Sequence, residues 1–145
     1  IARRPGGRYV FGCLNSASNH IWYSDDLVTW TGVGDVFGGL GADKGALNIV
    51  WTGTRFVARG YGTTSWVATS PDGATWTPQA GVGQIIYTGR HLAWNGTYVI
   101  SDNRAGTGIV YSADGLTWND ATGYAGSNIS VIACSPEPMM IPPVP

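Results

Sequence analysis

Arg59, Tyr61, Tyr87, Arg90, Asp102, Asn103, Arg104 and Tyr124 are the residues of this chain whose types best suit recognition chemistry. Phenol rings stack on the C–H faces of sugars, while guanidinium, carboxamide and carboxylate groups pair with hydroxyls. These residues fall in or beside loops between apolar β-type runs, where binding groups concentrate on a rigid scaffold. Asp43 and Lys44 add charge in a Gly-rich stretch. The competing reading is that they are solvated loop residues and aromatic plugs.

Catalytic chemistry has weaker support. The only glutamate, Glu137, lies in a proline-rich tail, and Asp26, Asp72 and Asp114 belong to a repeated turn motif. Few carboxylates, such as Asp43 and Asp102, are left to form the pair that glycoside hydrolysis requires. His20 and His91 stand apart, with no neighbouring cysteine or carboxylate cluster at metal-ligand spacing. No P-loop, G-x-S-x-G or C-x-x-C motif occurs. The expectation is no catalytic residue, no cofactor and no metal. A net charge of -1 offers no field for nucleic acid. No apolar run approaches the roughly 20 residues that span a bilayer, so no membrane insertion is expected.

The elements that position these residues are legible as an internal repeat. Ser24-Asp25-Asp26-Leu27-Val28-Thr29-Trp30 recurs as Ser70-Pro71-Asp72-Gly73-Ala74-Thr75-Trp76 and again as Ser112-Ala113-Asp114-Gly115-Leu116-Thr117-Trp118. The tryptophans are 46 and 42 residues apart. Tyr9, Phe56 and Tyr98 precede their serines by 15, 14 and 14 residues, and Trp51-Thr52-Gly53-Thr54 matches Trp94-Asn95-Gly96-Thr97. Each unit divides into four short runs, in the second copy Leu47–Trp51, Arg55–Arg59, Ser65–Ser70 and a segment from Thr75. Thr-Gly and Asn-Gly read as hairpin turns. In the recurring turn, Ser and Asp side chains accept from unpaired backbone N–H groups, Gly takes positive φ and Trp buries its ring. Lys44 is the only lysine, charged residues make up only 12%, and the 22 glycines suit many tight turns, so an all-β chain is expected.

Four antiparallel strands repeated every 40-odd residues predict β-propeller blades. The Ser–Asp–Gly–Thr–Trp pattern resembles the Asp-box, or BNR repeat, of the sialidase-like superfamily and of phage tail and fibre propellers. On that resemblance Ser24, Asp26, Trp30, Ser70, Asp72, Gly73, Trp76, Ser112, Asp114, Gly115 and Trp118 are structural, at the blade periphery. Leu27 replaces the glycine of the first copy, so that turn is expected to be less regular. The resemblance implies a non-catalytic binding or structural module on a virion or secreted protein, with a glycan or surface receptor as ligand. Its alternative is a fragment of a sialidase-like glycoside hydrolase. That activity would need an arginine triad and a Tyr–Glu pair, which Arg3-Arg4-Pro5 and Glu137 do not supply.

The repeats span residues 1–134, as blades near 1–41, 42–83 and 84–127 with an extra first strand at 128–134. Residues 135–145 form a proline-rich tail with an extended course. Three blades leave open edges, so completion by another chain, such as a second copy, or by a further segment is expected. No intact targeting signal is read at the N-terminus. Cys13 and Cys134 are either bridged to each other or buried as small apolar groups. Asn95-Gly96-Thr97 and Asn128-Ile129-Ser130 fit the glycosylation pattern, the first also serving its hairpin.

Overall fold

A computed structural model describes residues 1–79, 91–103, 108–124 and 129–134. Among these residues the chain is all-β, with three four-stranded antiparallel sheets and no helix. The first sheet runs in order through β1 (Ala2–Arg3), β2 (Tyr9–Gly12), β3 (Ile21–Ser24) and β4 (Thr31–Gly32). The second holds β5 (Gly45–Trp51), β6 (Phe56–Tyr61), β7 (Val67–Ser70) and β8 (Thr77–Pro78). The third holds β9 (Leu92–Trp94), β10 (Val99–Asp102), β11 (Ile109–Ser112) and β12 (Asn119–Asp120). The fourth strand of each sheet is two residues long, and β8 carries Pro78. The first strands of successive sheets lie side by side, β1 against β5 and β5 against β9.

Register shows which residues are equivalent. Tyr9 pairs with Ser24, Phe56 with Ser70 and Val99 with Ser112. The third copy is therefore shifted by one residue from the aromatic spacing, with Val99 rather than Tyr98 matching Phe56. Val99 lies 13 residues before its serine where Phe56 lies 14 before its own, and a one-residue slip exchanges the two faces of a strand. Val99 is buried and Tyr98 is exposed. The expected strand over 128–134 does not pair: the described part, residues 129–134, carries no ladder. A strand exists only with a partner, and no described strand supplies one.

The recurring turns share one set of hydrogen bonds. Ser24, Ser70 and Ser112 each donate Oγ–H to the Asp two residues on, at 2.9, 3.0 and 3.0 Å. The same Oγ accepts from the N–H three residues on, at 2.8, 2.7 and 2.8 Å. One Asp oxygen then accepts two further N–H groups, those of Val28 and Thr29, Ala74 and Thr75, or Leu116 and Thr117. The first turn is as regular as the others, against expectation. Leu27 takes φ +65°, beside +79° at Gly73 and +75° at Gly115. The hydrogen bonds hold it there at a cost of about 1–2 kcal/mol for a non-glycine residue.

What differs is the neighbour. A Cβ on Gly73 would lie 2.8 Å from Val10 Cγ2 in the first sheet, and one on Gly115 would lie 2.5 Å from Val57 Cγ2 in the second. Each later turn thus sits against the sheet before it, where only glycine fits. Among the described residues no sheet lies against Leu27 in this way, and it is half exposed. Two buried clusters fill the junctions. Val10, Ile21, Ala46, Phe56, Ala58 and Ala68 are among the residues joining the first two sheets, and Val57, Leu92, Val99, Val110 and Trp118 join the second and third. Arg8 clamps the first junction: its guanidinium lies 4.4 Å over the Tyr23 ring, pairs with Asp25 and donates to the Asp72 carbonyl at 3.1 Å.

Two outcomes test this account. Leu27→Gly should stabilise the protein by about 1 kcal/mol, whereas Gly115→Ala, strained in φ and driven into Val57, should destabilise by about 2 kcal/mol or more, both read by denaturant unfolding. The carboxylates give the second. N–H groups of Thr29 and Val28 with the Ser24 hydroxyl hold Asp26 down at about 2. Burial pushes Asp72 and Asp114 upward, but their N–H and hydroxyl donors outweigh it and lower both. Folded pKa values below the unfolded ones give stability that is present above about pH 4 and lost as pH falls toward about 2. The unfolding midpoint should drop across that window, and Asp114→Asn should reduce the slope.

Candidate functional site

Two of the predicted recognition residues meet, but inside the protein. β6 ends in a run buried on both faces, and its Arg59 crosses to the end of β10, where Nη1 lies 2.9 Å from Asp102 Oδ1. Both side chains are almost fully buried. Nη1 also donates to the Ser101 hydroxyl and, at 3.3 Å each, to the carbonyls of His91 and Asp102. Asp102 Oδ1 accepts the His91 N–H at 3.0 Å, and Ser101 donates to the His91 carbonyl at 2.7 Å. Burial pushes the Arg59 guanidinium down to about 10, with Asp102 working in the opposite direction, so Arg59 stays charged at neutral pH. His91 Nδ1 is buried 3.6 Å from the same carboxylate oxygen, without a hydrogen-bond partner. Arg59 and Asp102 are thus an inter-sheet ion pair rather than loop groups facing a ligand. The sequence pattern could not separate these alternatives, because both residues stand at strand ends.

The loop around them is also engaged. Thr63 and Thr64 donate their N–H groups to the carbonyls of Gly38 and Phe37 at 2.8 and 3.1 Å, and both hydroxyls repeat these contacts. Phe37 and Val36 are buried, so the Gly-rich stretch that leads to Asp43 and Lys44 plugs the junction. His20 fixes it from below: Nδ1 accepts from the N–H groups of Val36 and Phe37 at 3.0 and 3.3 Å. Glycine is needed at position 60, where a Cβ would lie 2.7 Å from the Phe37 ring. The link that follows β2 pairs in turn with the start of β5, through Leu14 and Gly45. Cys13 and Cys134 are free thiols.

The remaining predicted residues are dispersed. Tyr61 meets Trp66 edge-on at 5.1 Å. Asn103 closes its own loop, accepting the Gly108 N–H at 3.1 Å and donating its N–H to the Gly108 carbonyl at 2.9 Å. Tyr124 is exposed and borders a hollow of about 470 Å³ with Ile109 and residues 129–133. Tyr87, Arg90 and Arg104 lie outside the described residues, as does the tail at 135–145. Asn95 serves its hairpin, accepting from the N–H groups of Thr97 and Tyr98 at 2.9 and 2.7 Å. Among the described residues no group of three or more His, Cys, Asp or Glu side chains converges to hold a metal ion.

Ser101 and His91 were missed as partners of Arg59, since no local spacing links β6 to β10. Trp22, paired with Phe11 across β2 and β3, was not singled out, whereas Tyr9 and Trp30 of the same sheet were read as repeat landmarks. No protein-family model, no curated protein and no solved structure matches the chain.

Removing one partner of the ion pair leaves a charge without compensation in the junction. Asp102→Leu should lower stability by about 3–5 kcal/mol, and pairing it with Arg59→Met should recover most of that loss. A double-mutant cycle measured by urea unfolding checks both.

Proposed function

We propose that the three sheets are blades of a β-propeller-like array and that the chain is a non-catalytic binding module, displayed on a virion or secreted protein, whose ligand is a glycan or glycosylated receptor. The architectural part is supported by the sheet order: first strands stand side by side, and each later turn is seated on the sheet before it. The observation that carries the functional part is the commitment of six of the eight aspartates. Asp26, Asp72 and Asp114 hold turns, Asp102 holds Arg59, Asp25 holds Arg8, and Asp35 accepts from Gly38 and Gly39 at 2.7 and 2.6 Å. A general acid must exchange its proton with substrate, and groups saturated by structural donors are poorly placed to do so. Half-exposed aromatic rings beside small polar residues suit uncharged, hydroxyl-rich ligands instead.

Completion of the array by another chain, such as a second copy, belongs to the same reading. It would engage the far face of the third sheet, where Tyr98 stands exposed against Tyr111 at 5.3 Å.

Saturable binding to an immobilised glycan library, without release of reducing ends, is the expected result. Turnover of a reporter sialoside would instead favour the glycosidase alternative, and neither binding nor turnover would leave an architectural role.

A further inference from the structure

Asparagine or aspartate followed by glycine is where a peptide chain most readily attacks its own side chain, because no Cβ hinders the glycine nitrogen. The chain holds three such pairs, Asp72-Gly73, Asn95-Gly96 and Asp114-Gly115, each in a connection between paired strands. The reaction needs a glycine nitrogen that can lose its proton to solvent, a carbonyl carbon that accepts the nitrogen, and a group that leaves.

At the two aspartates the fold withholds the nucleophile. Gly73 and Gly115 are buried, and their N–H groups donate to the Ser70 and Ser112 hydroxyls at 2.7 and 2.8 Å. A Cβ at Gly73 would lie 2.8 Å from Val10 and one at Gly115 2.5 Å from Val57, so solvent is excluded from that side of each turn. Each carboxylate is also ionised at neutral pH, which makes its carbon a poor acceptor of a nucleophile.

Asn95-Gly96 differs at each point. Gly96 is exposed, a Cβ there would meet nothing within 4 Å, and among the described residues its N–H makes no hydrogen bond. The neutral Asn95 amide is held by its oxygen alone. Oδ1 accepts from the N–H groups of Thr97 and Tyr98 at 2.9 and 2.7 Å, and Nδ2 has no partner among the described residues. Those two donors draw charge from Cγ and face the oxygen that becomes negative when a nitrogen adds there. The turn itself does not require an amide. Thr52 holds the same place between β5 and β6, donating its N–H to the Arg55 carbonyl as Asn95 does to that of Tyr98.

We infer that Asn95 is a site of spontaneous deamidation in the folded protein, and that the fold confines this chemistry to it by shielding the other two pairs. The Gly96 nitrogen bonds to Asn95 Cγ, the Cγ–Nδ2 bond breaks, and ammonia leaves with the displaced proton. Water then opens the five-membered imide at either carbonyl. One opening gives aspartate; the other routes the main chain through the side chain as isoaspartate. Either product adds a carboxylate to the hairpin, and the second also adds a methylene to the link between β9 and β10. This chemistry is independent of any ligand and of the glycan reading above.

The test uses the full chain, made in a host without N-glycosylation and aged in mildly alkaline buffer, both folded and unfolded in guanidinium chloride. Tryptic digestion and electron-transfer fragmentation then locate each change. In the folded protein, isoaspartate and the amide-to-acid mass increase should accumulate at position 95, within the tryptic peptide 91–104. Folding should slow isomerisation at Asp72 and Asp114 at least tenfold, and should slow Asn95 far less. Asn95→Thr, copying Thr52, should abolish the change in that peptide while leaving the unfolding of fresh protein unaltered. An Asn95 that folding protects as strongly as the two aspartates overturns the inference. So does isoaspartate forming at position 72 or 114 as fast in the folded chain as in the unfolded one. A mass increase in peptide 91–104 that survives Asn95→Thr belongs to Asn103 and overturns it as well.

Discussion

The fold depends on one hydroxyl and one carboxylate oxygen at each sheet corner. Where β3, β7 and β11 end, the chain reverses and strands several N–H groups without ladder partners, a burial cost that must be met locally. Serine and aspartate meet it together, the hydroxyl donating to the carboxylate and both collecting N–H groups. The arrangement also forces the residue after the aspartate into positive φ. That residue is the one pressed against the previous sheet in two of the three corners, so local turn chemistry and sheet spacing are a single constraint.

The two ends of the junctions are held by different physics. At the turn end the contacts are apolar and tight, with Arg8 reaching across at the surface. At the other end a buried ion pair, Arg59 with Asp102, is surrounded by a hydroxyl and two carbonyls. Such pairs add little net stability over an apolar replacement, but a misaligned one is costly, so they favour one alignment of neighbouring sheets over others. Phe37 performs the corresponding task between the first two sheets with no charge at all.

How much of this was legible follows from the range of the interactions. The three sheets and their strand order came from the spacing of Ser, Asp and Trp, because the turn is closed by side chains within four residues of each other. The regularity of the Leu27 turn was not legible, since the glycine rule speaks to intrinsic preference and not to the four hydrogen bonds that override it. The slip between Tyr98 and Val99 was hidden because an aromatic landmark is shared by neighbouring positions, while register is set by ladder pairing. Arg59 and Asp102 were picked out by residue type, yet their roles differ from the expected ones. Their meeting spans 43 residues of sequence and is decided by packing between sheets, about which local pattern is silent.

The brevity of β4, β8 and β12 bears on a hazard of every stacked-sheet protein. A long bare edge invites a neighbouring molecule to add a strand and then another, the route to fibrils. Two residues offer too few backbone groups to template that growth, and the proline in β8 removes a donor from what little edge remains. The rim of this array is therefore poorly suited to seeding filaments, even though its strands are rich in the β-branched and aromatic residues that build them.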